Sequence, residues 1–300
     1  MPANPFISVV MPTFNRKETL VEVLPSLAKQ TYPADSYELL LSDSSSTDGT
    51  AEMVADMGIP NLRLITGENR GRSGARNRGI REAKGEIVLF TDADIIADPH
   101  LLEEHAKLHA AEPNVAVVGR EIQVDTLEEY RDSIAHPERA RHLHKRAQKE
   151  LSWLFFLTGN ASVRRDKLIE VGMFDEDFTG YGHEDLELGY RLMKSGVRIR
   201  HNPAAINYHW HPVPFDERLA RTSLAGISTM RFYRKHRDPK IKLLMGVNPV
   251  TMALHSLLTE DRWPVPAWKA NVEKSASCRE LLTQFYYLNG VKAAIKDPNL

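Results

Sequence analysis

Cysteine is almost missing: Cys278 is the only one in 300 residues. A single thiol excludes an intrachain disulfide and a structural zinc site built on cysteines, and it fits a reducing compartment. Long apolar runs are missing too. None approaches the roughly 20 residues of a membrane helix. Met1 to Phe6 show no basic run leading into an apolar one, so no secretory signal is visible. The expectation is a cytoplasmic protein, with peripheral contact at the inner face of a membrane left open. An excess of either charge is also lacking, with 39 Lys and Arg against 40 Asp and Glu and a net charge of -1. That balance argues against wholesale nucleic-acid binding and leaves local patches open. A 42% hydrophobic and 26% charged composition excludes a disordered chain and describes an ordinary globule.

What is present is an alternation. Strands are expected at Ile7–Met11, Leu39–Leu41, Leu62–Ile65, Glu86–Phe90 and Asn114–Gly119. Between them, Leu20, Val23, Leu24 and Leu27 recur at helical spacing, and 51–57 and 73–83 read as helices. This β-α-β-α order predicts an α/β domain with a mainly parallel sheet. Asp132 to Lys149 breaks the pattern and reads as a mobile loop or exposed helix. Ordered structure resumes at Leu154, with a helix over 184–194 and two short strands at 197–200 and 205–208. After Pro214 the chain reads as helical, which divides it into an α/β domain over 1–215 and a helical region over 216–300.

In parallel sheets, ligands gather beyond the carboxyl ends of strands. Four polar segments stand there. Asp92-Ala93-Asp94 follows an apolar strand, and two carboxylates one residue apart can share Mg²⁺ or Mn²⁺; a polar turn with a capping aspartate is the alternative. Pro12-Thr13-Phe14-Asn15-Arg16 follows the first strand, and Asp43-Ser44-Ser45-Ser46-Thr47-Asp48-Gly49-Thr50 the second. Their short polar side chains suit a nucleobase pocket, and equally suit turns and caps. Gly71-Arg72-Ser73-Gly74-Ala75-Arg76-Asn77 opens a helix that could approach a diphosphate or simply present a basic face to water.

In this order, the four segments resemble glycosyltransferase family 2 of the GT-A fold, over Ile7 to about Pro99. One departure is Ser44, where many members carry a second acidic residue. The second half is similar to chondroitin-polymerase-like and polypeptide N-acetylgalactosaminyltransferase-like members, through Phe156-Leu157-Thr158-Gly159-Asn160-Ala161-Ser162 and Gly180-Tyr181-Gly182-His183-Glu184-Asp185. The resemblance implies an inverting, metal-dependent sugar transfer from a nucleotide-diphosphate donor, a UDP-sugar above all, to a glycan, glycolipid or small-molecule hydroxyl. Asp185 would be the general base, with Glu184 next in line. Asp94 and His209, with Asp92 directly or through water, would hold Mn²⁺ or Mg²⁺; in Tyr208-His209-Trp210-His211-Pro212, His211 is the rival ligand. Pro12, Thr13, Asn15, Asp43, Arg72, Arg76 and Asp92 would face the nucleotide. Gly159 and Asn160 would face the donor sugar, and Trp153, Tyr181 and Trp210 could stack on sugar rings or belong to the core.

Two rivals stand beside this reading: a nucleotidyltransferase making a nucleotide-sugar, and a non-catalytic module on the same fold. The first usually carries a glycine- and basic-rich loop near its N-terminus, which Pro12–Arg16 does not provide. Two basic clusters complete the picture. Arg139, Arg141, Lys145, Arg146 and Lys149, with His142 and His144, could form a lid. The second runs from Arg218 and Arg221 through Arg231, Arg234, Lys235, Arg237, Lys240 and Lys242 to the apolar Leu243, Leu244, Met245 and Trp263. It could dock on an anionic membrane or on a phosphate-bearing lipid-linked acceptor, or remain a solvated face.

Overall fold

The computed structural model describes residues 4–136, 149–210 and 213–297. It divides into two compact units, Met1–Thr179 with Glu184–Pro212, and Gly180–His183 with Val213–Leu300. The first basic cluster lies almost wholly outside the described residues; only the backbone of Lys149 falls within them.

The first unit is built on one sheet. Its strands are β1 (Ile7–Thr13), β2 (Tyr37–Asp43), β3 (Leu62–Thr66), β4 (Ile87–Phe90), β5 (Ile95–Ala97), β6 (Val115–Gln123), β7 (Lys149–Leu151), β8 (Ala161–Arg164) and β9 (Arg198–His209). Their order is β3-β2-β1-β4-β8-β6-β9-β5, with β7 also on β9. The pairs β3–β2, β2–β1, β1–β4 and β6–β9 are parallel, and β8 runs antiparallel between β4 and β6. Every residue of β1 and β2 is buried, as expected where helices cover both faces of a parallel sheet.

Helices α1 (Lys17–Ala28), α2 (Thr50–Asp56), α3 (Gly71–Glu82), α4 (Leu101–Ala111), α5 (Leu127–Ala135), α6 (Arg165–Glu170) and α7 (Glu184–Lys194) flank the sheet. Leu20, Val23, Leu24 and Leu27 line one face of α1 and join the core with Val9, Met11 and Leu39. Burial of each such side chain is worth about 1.5–3 kcal/mol. Helix α3 lies unusually close to β1: a Cβ on Gly79 would sit 2.4 Å from Val10 Cγ1. Arg191 on α7 pairs with the buried Glu187 and donates to the carbonyls of Val171 and Met173, which ties the turn before the helix to its body.

One expectation is corrected. The two short strands at 197–200 and 205–208 are a single strand, β9. Pro203 reads as a breaker because it cannot donate to a ladder. Here the register of β6 against β9 jumps from Val118↔His201 to Arg120↔Ile206, so the extra β9 residues bulge around Gly119.

The second unit is helical: α8 (Phe215–His236), α9 (Pro239–Leu244), α10 (Pro249–Ser256), α11 (Val265–Ala270) and α12 (Ala276–Lys296). Met230, Leu288 and Val291 form one apolar cluster between α8 and α12, and Leu219, Val265, Leu282 and Phe285 another. No helix among the described residues is long and apolar enough to cross a membrane.

Candidate active site

The carboxyl ends of β1 and β2 lie side by side, with Pro12 opposite Ser42 and Thr13 opposite Asp43. The loops that follow are stitched together. Asn15 donates its backbone N–H to Ser46 Oγ (2.8 Å), and its side-chain oxygen accepts from the Thr47 amide (2.8 Å). Lys17 N–H donates to Asp48 Oδ2 (2.9 Å). Asp43 is buried and accepts from the amide and hydroxyl of Ser46. Thr13 Oγ1 is buried at the strand end without a protein partner. Asn15 also borders a cavity of about 650 Å³ with Arg16, Asp48, Asp125 and Trp210. The structure therefore brings Asn15 and Trp210 to one place.

Beyond β4 lies a charged cluster. Arg76 is 1% exposed; its guanidinium donates to Asp92 Oδ1 at 2.8 Å and to Glu184 Oε1 at 3.1 Å. Phe174 lies under the same group, 5.5 Å from ring centroid to Cζ. Arg76 is thus paired with two carboxylates in this structure. Arg72, half-exposed one turn earlier on α3, reaches the same Glu184 oxygen at 3.3 Å. Burial works against the Glu184 charge, and the two arginines outweigh it and hold this carboxyl below the ordinary glutamate range. Next to it, Asp185 is partly exposed in the first turn of α7 and accepts the Leu186 amide at 2.8 Å. Desolvation and the adjoining Glu184 carboxylate push Asp185 up to about 7.

A third group forms where β5 turns back antiparallel on β9, with Ile95 opposite His209. Trp210 N–H donates to Asp94 O at 2.9 Å, which fixes the approach of the two chains. His209 Nε2 then faces Asp94 Oδ1 at 3.6 Å, and its Nδ1 faces Glu121 Oε1 at 3.4 Å. The bonds to Asp94 and Glu121 push His209 up to about 10. Glu121 was not among the residues singled out in the sequence. Its signal was faint: on β6 it shares a face with Gln123, which stands opposite His209. Gly159 makes its approach feasible, because a Cβ there would meet Glu121 Oε2 at 2.6 Å.

Asn160 borders a smaller cavity of about 290 Å³ with Gly119, Glu121, Phe155 and Leu157. Its side chain is turned inward. The amide nitrogen donates to Ala205 O (3.0 Å) and Arg120 O (3.3 Å), and Oδ1 accepts from His105 Nε2 (2.8 Å). Ser162 Oγ lies 2.7 Å from His105 Nδ1 and 2.8 Å from His109 Nε2. One set of protons satisfies all of these contacts: both imidazoles neutral with hydrogen on Nε2, and the Ser162 hydroxyl donating to His105. Trp153 belongs to the core, edge-on to Tyr190. Tyr181 lies in the other unit, where Arg221 covers its ring. His211 is outside the described residues.

The donor chemistry fits a hard divalent cation. Among the described residues no three His, Cys, Asp or Glu side chains converge on one point. Mg²⁺ and Mn²⁺, however, commonly take one or two protein ligands and complete the shell from water and substrate phosphates. Asp94 and His209 Nε2 offer that pair, and Glu121 on the opposite imidazole nitrogen occupies the place of an orienting carboxylate.

Comparison with known proteins gives the family and the fold. The family model "Glycosyl transferase family 2" matches residues 8–172, and "N-terminal domain of galactosyltransferase" matches 141–212. Validoxylamine A glucosyltransferase of Streptomyces hygroscopicus subsp. jinggangensis is 31% identical, over 77% of this chain and 61% of its own length. The uncharacterized glycosyltransferase YfnE of Bacillus subtilis is 29% identical, over 68% and 65%. Chondroitin synthase of Escherichia coli is 26% identical, over 76% and 38%. The chain thus spans from 38% to 65% of the length of these curated relatives. In fold it is similar to the mannosyltransferase PcManGT from Pyrobaculum calidifontis, solved with GDP-Man and Mn²⁺ (TM-score 0.66, 22% identity, covering 100% of this chain and 89% of that one). It is also similar to Staphylococcus aureus TarS 1-349, solved with UDP (TM-score 0.60, 18% identity, 98% and 92%).

Proposed function

The chain belongs to glycosyltransferase family 2, and from that premise we propose that it moves a sugar from a UDP-sugar to an acceptor hydroxyl, with inversion at the anomeric carbon, in the synthesis of a bacterial polysaccharide, glycolipid or cell-surface glycan. One observation carries the reading: Asp185, a carboxyl pushed up to about 7, stands beside the Glu184–Arg76–Asp92 chain that begins at the carboxyl end of β4. A general base works best when its pKa lies near the working pH. Asp185 takes the acceptor proton as the oxygen attacks the anomeric carbon. The bond from that carbon to the diphosphate breaks in the same displacement, and a single displacement inverts. Glu184 holds Arg76 and raises Asp185, so it acts through its neighbours.

On the donor side, Thr13, Asn15 and Asp43 form the base end, with Pro12 shaping the strand that carries them. Arg72 and Arg76 stand on the diphosphate side, Arg72 the more exposed of the two. Asn160 and Glu121 wall the cavity proposed for the donor sugar, Gly159 lies against Glu121, and Trp210 is the stacking surface beside Asn15. Asp94 and His209 would hold Mn²⁺ or Mg²⁺, with Asp92 close by; such an ion neutralises charge on a departing diphosphate. What is named for the relatives supports the choice of class: a glucosyl transfer for the validoxylamine enzyme, GDP-Man with Mn²⁺ in one solved structure and UDP in another.

The test is a screen of UDP- and GDP-sugars for release of the free nucleotide with Mn²⁺ present, followed by anomeric analysis of the transferred sugar. Release from a UDP-sugar and an inverted product are expected. A nucleoside triphosphate and a sugar phosphate combining into a nucleotide-sugar would replace this reading with a nucleotidyltransferase. Binding without turnover would make the chain a non-catalytic module.

A further inference from the structure

The helical unit carries a surface that the transfer reaction does not use. The 17 residues from Leu243 to Thr259 contain no Asp, Glu, Lys or Arg. An uncharged stretch of that composition would normally be buried, and here much of it is not. Six of the fifteen exposed large hydrophobic side chains among the described residues fall between 243 and 263: Leu243, Leu244, Val250, Leu254, Leu257 and Trp263, the last two 80% and 84% exposed. On α10 and its C-capping residue, Val250, Leu254 and Leu257 recur at i, i+4 and i+7, which is one helix face. The opposite face is fixed to the unit: His255 is buried against the carbonyl of Phe285 (3.1 Å), and Met252 packs on the cluster around Leu288. The exposed row is therefore presented outward by a helix that is well anchored.

Charge is distributed around this ridge with a clear bias. The twelve residues before it, 231–242, hold six Lys or Arg and one Asp. Lys240 and Arg237 are exposed, and the Lys242 ammonium lies 4.1 Å from the Tyr233 ring centroid, which steadies it near the end of α9. At the far end, Glu260 is paired with Lys269 at 2.9 Å, and Asp261 adjoins Arg262.

We propose that residues 243–259, with Trp263, form a ridge that seats on the surface of an anionic lipid bilayer, its apolar side chains at the acyl boundary and the 231–242 cations over the headgroups. Helices of six and eight residues cannot cross a bilayer, but short amphipathic helices lie in its plane. Tryptophan favours that interface. Protein–protein interfaces are depleted in lysine and seat their apolar centre in a matching pocket, whereas a basic flank beside an apolar ridge matches an anionic membrane. The proposal is independent of the transfer reaction, and a chain without transferase activity would still bind.

Co-sedimentation of the full chain with vesicles decides it. Binding is expected to phosphatidylglycerol-containing vesicles at low salt, with a blue shift of tryptophan emission that Trp263→Phe removes, and much weaker binding to pure phosphatidylcholine or at high salt. Arg237→Gln, Lys240→Gln and Lys242→Gln together should lower the partition about 100-fold, as three interfacial cations would. Leu243→Ser, Leu254→Ser and Leu257→Ser together should abolish binding with an unchanged thermal midpoint, since all three side chains are exposed. No binding at low salt, or equal binding by the serine variant, overturns the proposal. A lipid-free dimer that the serine variant breaks would assign the ridge to a second copy of the chain instead.

Discussion

Glu121 Oε1 lies 3.4 Å from His209 Nδ1, on the side of the imidazole away from Asp94. A carboxylate in that position fixes the ring and leaves Nε2 for a cation. Glu121→Gln keeps the shape and removes the charge. Mn²⁺ affinity in the presence of UDP should fall about 10–100-fold, with UDP affinity in metal-free buffer unchanged. Titration by isothermal calorimetry reads both, and unaltered Mn²⁺ affinity would remove Glu121 from the proposed centre.

Asp185 sets an expectation for pH. A base must be deprotonated to work, and this carboxyl is raised to about 7. Transfer should therefore decline as pH falls through about 7, one decade per unit, while remaining level on the alkaline side of that value. Asp185→Asn should lower the rate about 10²–10⁴-fold and abolish this acid limb, with UDP binding nearly intact. A variant that keeps both rate and limb would move the role to Glu184.

How much of this was legible depended on how local the signal was. Helix α7 was legible as 184–194 because Leu188 and Leu192 stand four residues apart among charged neighbours, and its bounds match. The strand ends at Asp43 and Asp92 were legible from apolar runs closed by polar loops. Strand β9 was not, because Pro203 reads as a breaker and the bulge that absorbs it shows only in the register against β6. Arg76 looked like a phosphate ligand beside its glycines. Besides Asp92, it pairs with Glu184, 108 residues away, and no local pattern encodes that second pairing. Glu121 belonged to no motif; only the register of β6 against β9 gives it a place. The inward turn of Asn160 depends on His105, which reads in sequence as an ordinary helix residue.

The His109–Ser162–His105–Asn160 chain predicts acid sensitivity. Burial lowers His105 to about 4 and His109 to about 3. In the unfolded chain both titrate near 6.5. Below that value the unfolded state takes up protons that the folded state refuses, so stability falls from about pH 6.5 toward 4 and is unaffected by these groups above 7. Each histidine contributes on the order of 1 kcal/mol per pH unit within that window. Urea unfolding at pH 7.5 and 5 measures the loss. His109→Gln, whose amide can still donate to Ser162, should show a shallower decline; an identical decline would mean that the histidine is not buried neutral.

The central claim is that this cleft turns over a nucleotide-sugar with Asp94 and His209 holding a divalent cation. Its most direct measurement is UDP release from the UDP-sugar found in the screen, by the wild-type chain and by Asp94→Ala, with Mn²⁺ and with excess chelator. Chelator should stop the wild type, and Mn²⁺ should restore it. Asp94→Ala should stay nearly inactive in either condition at an unchanged thermal midpoint, because a carboxylate at a loop top adds little to the core. Full turnover in excess chelator, or wild-type turnover by Asp94→Ala, would contradict it.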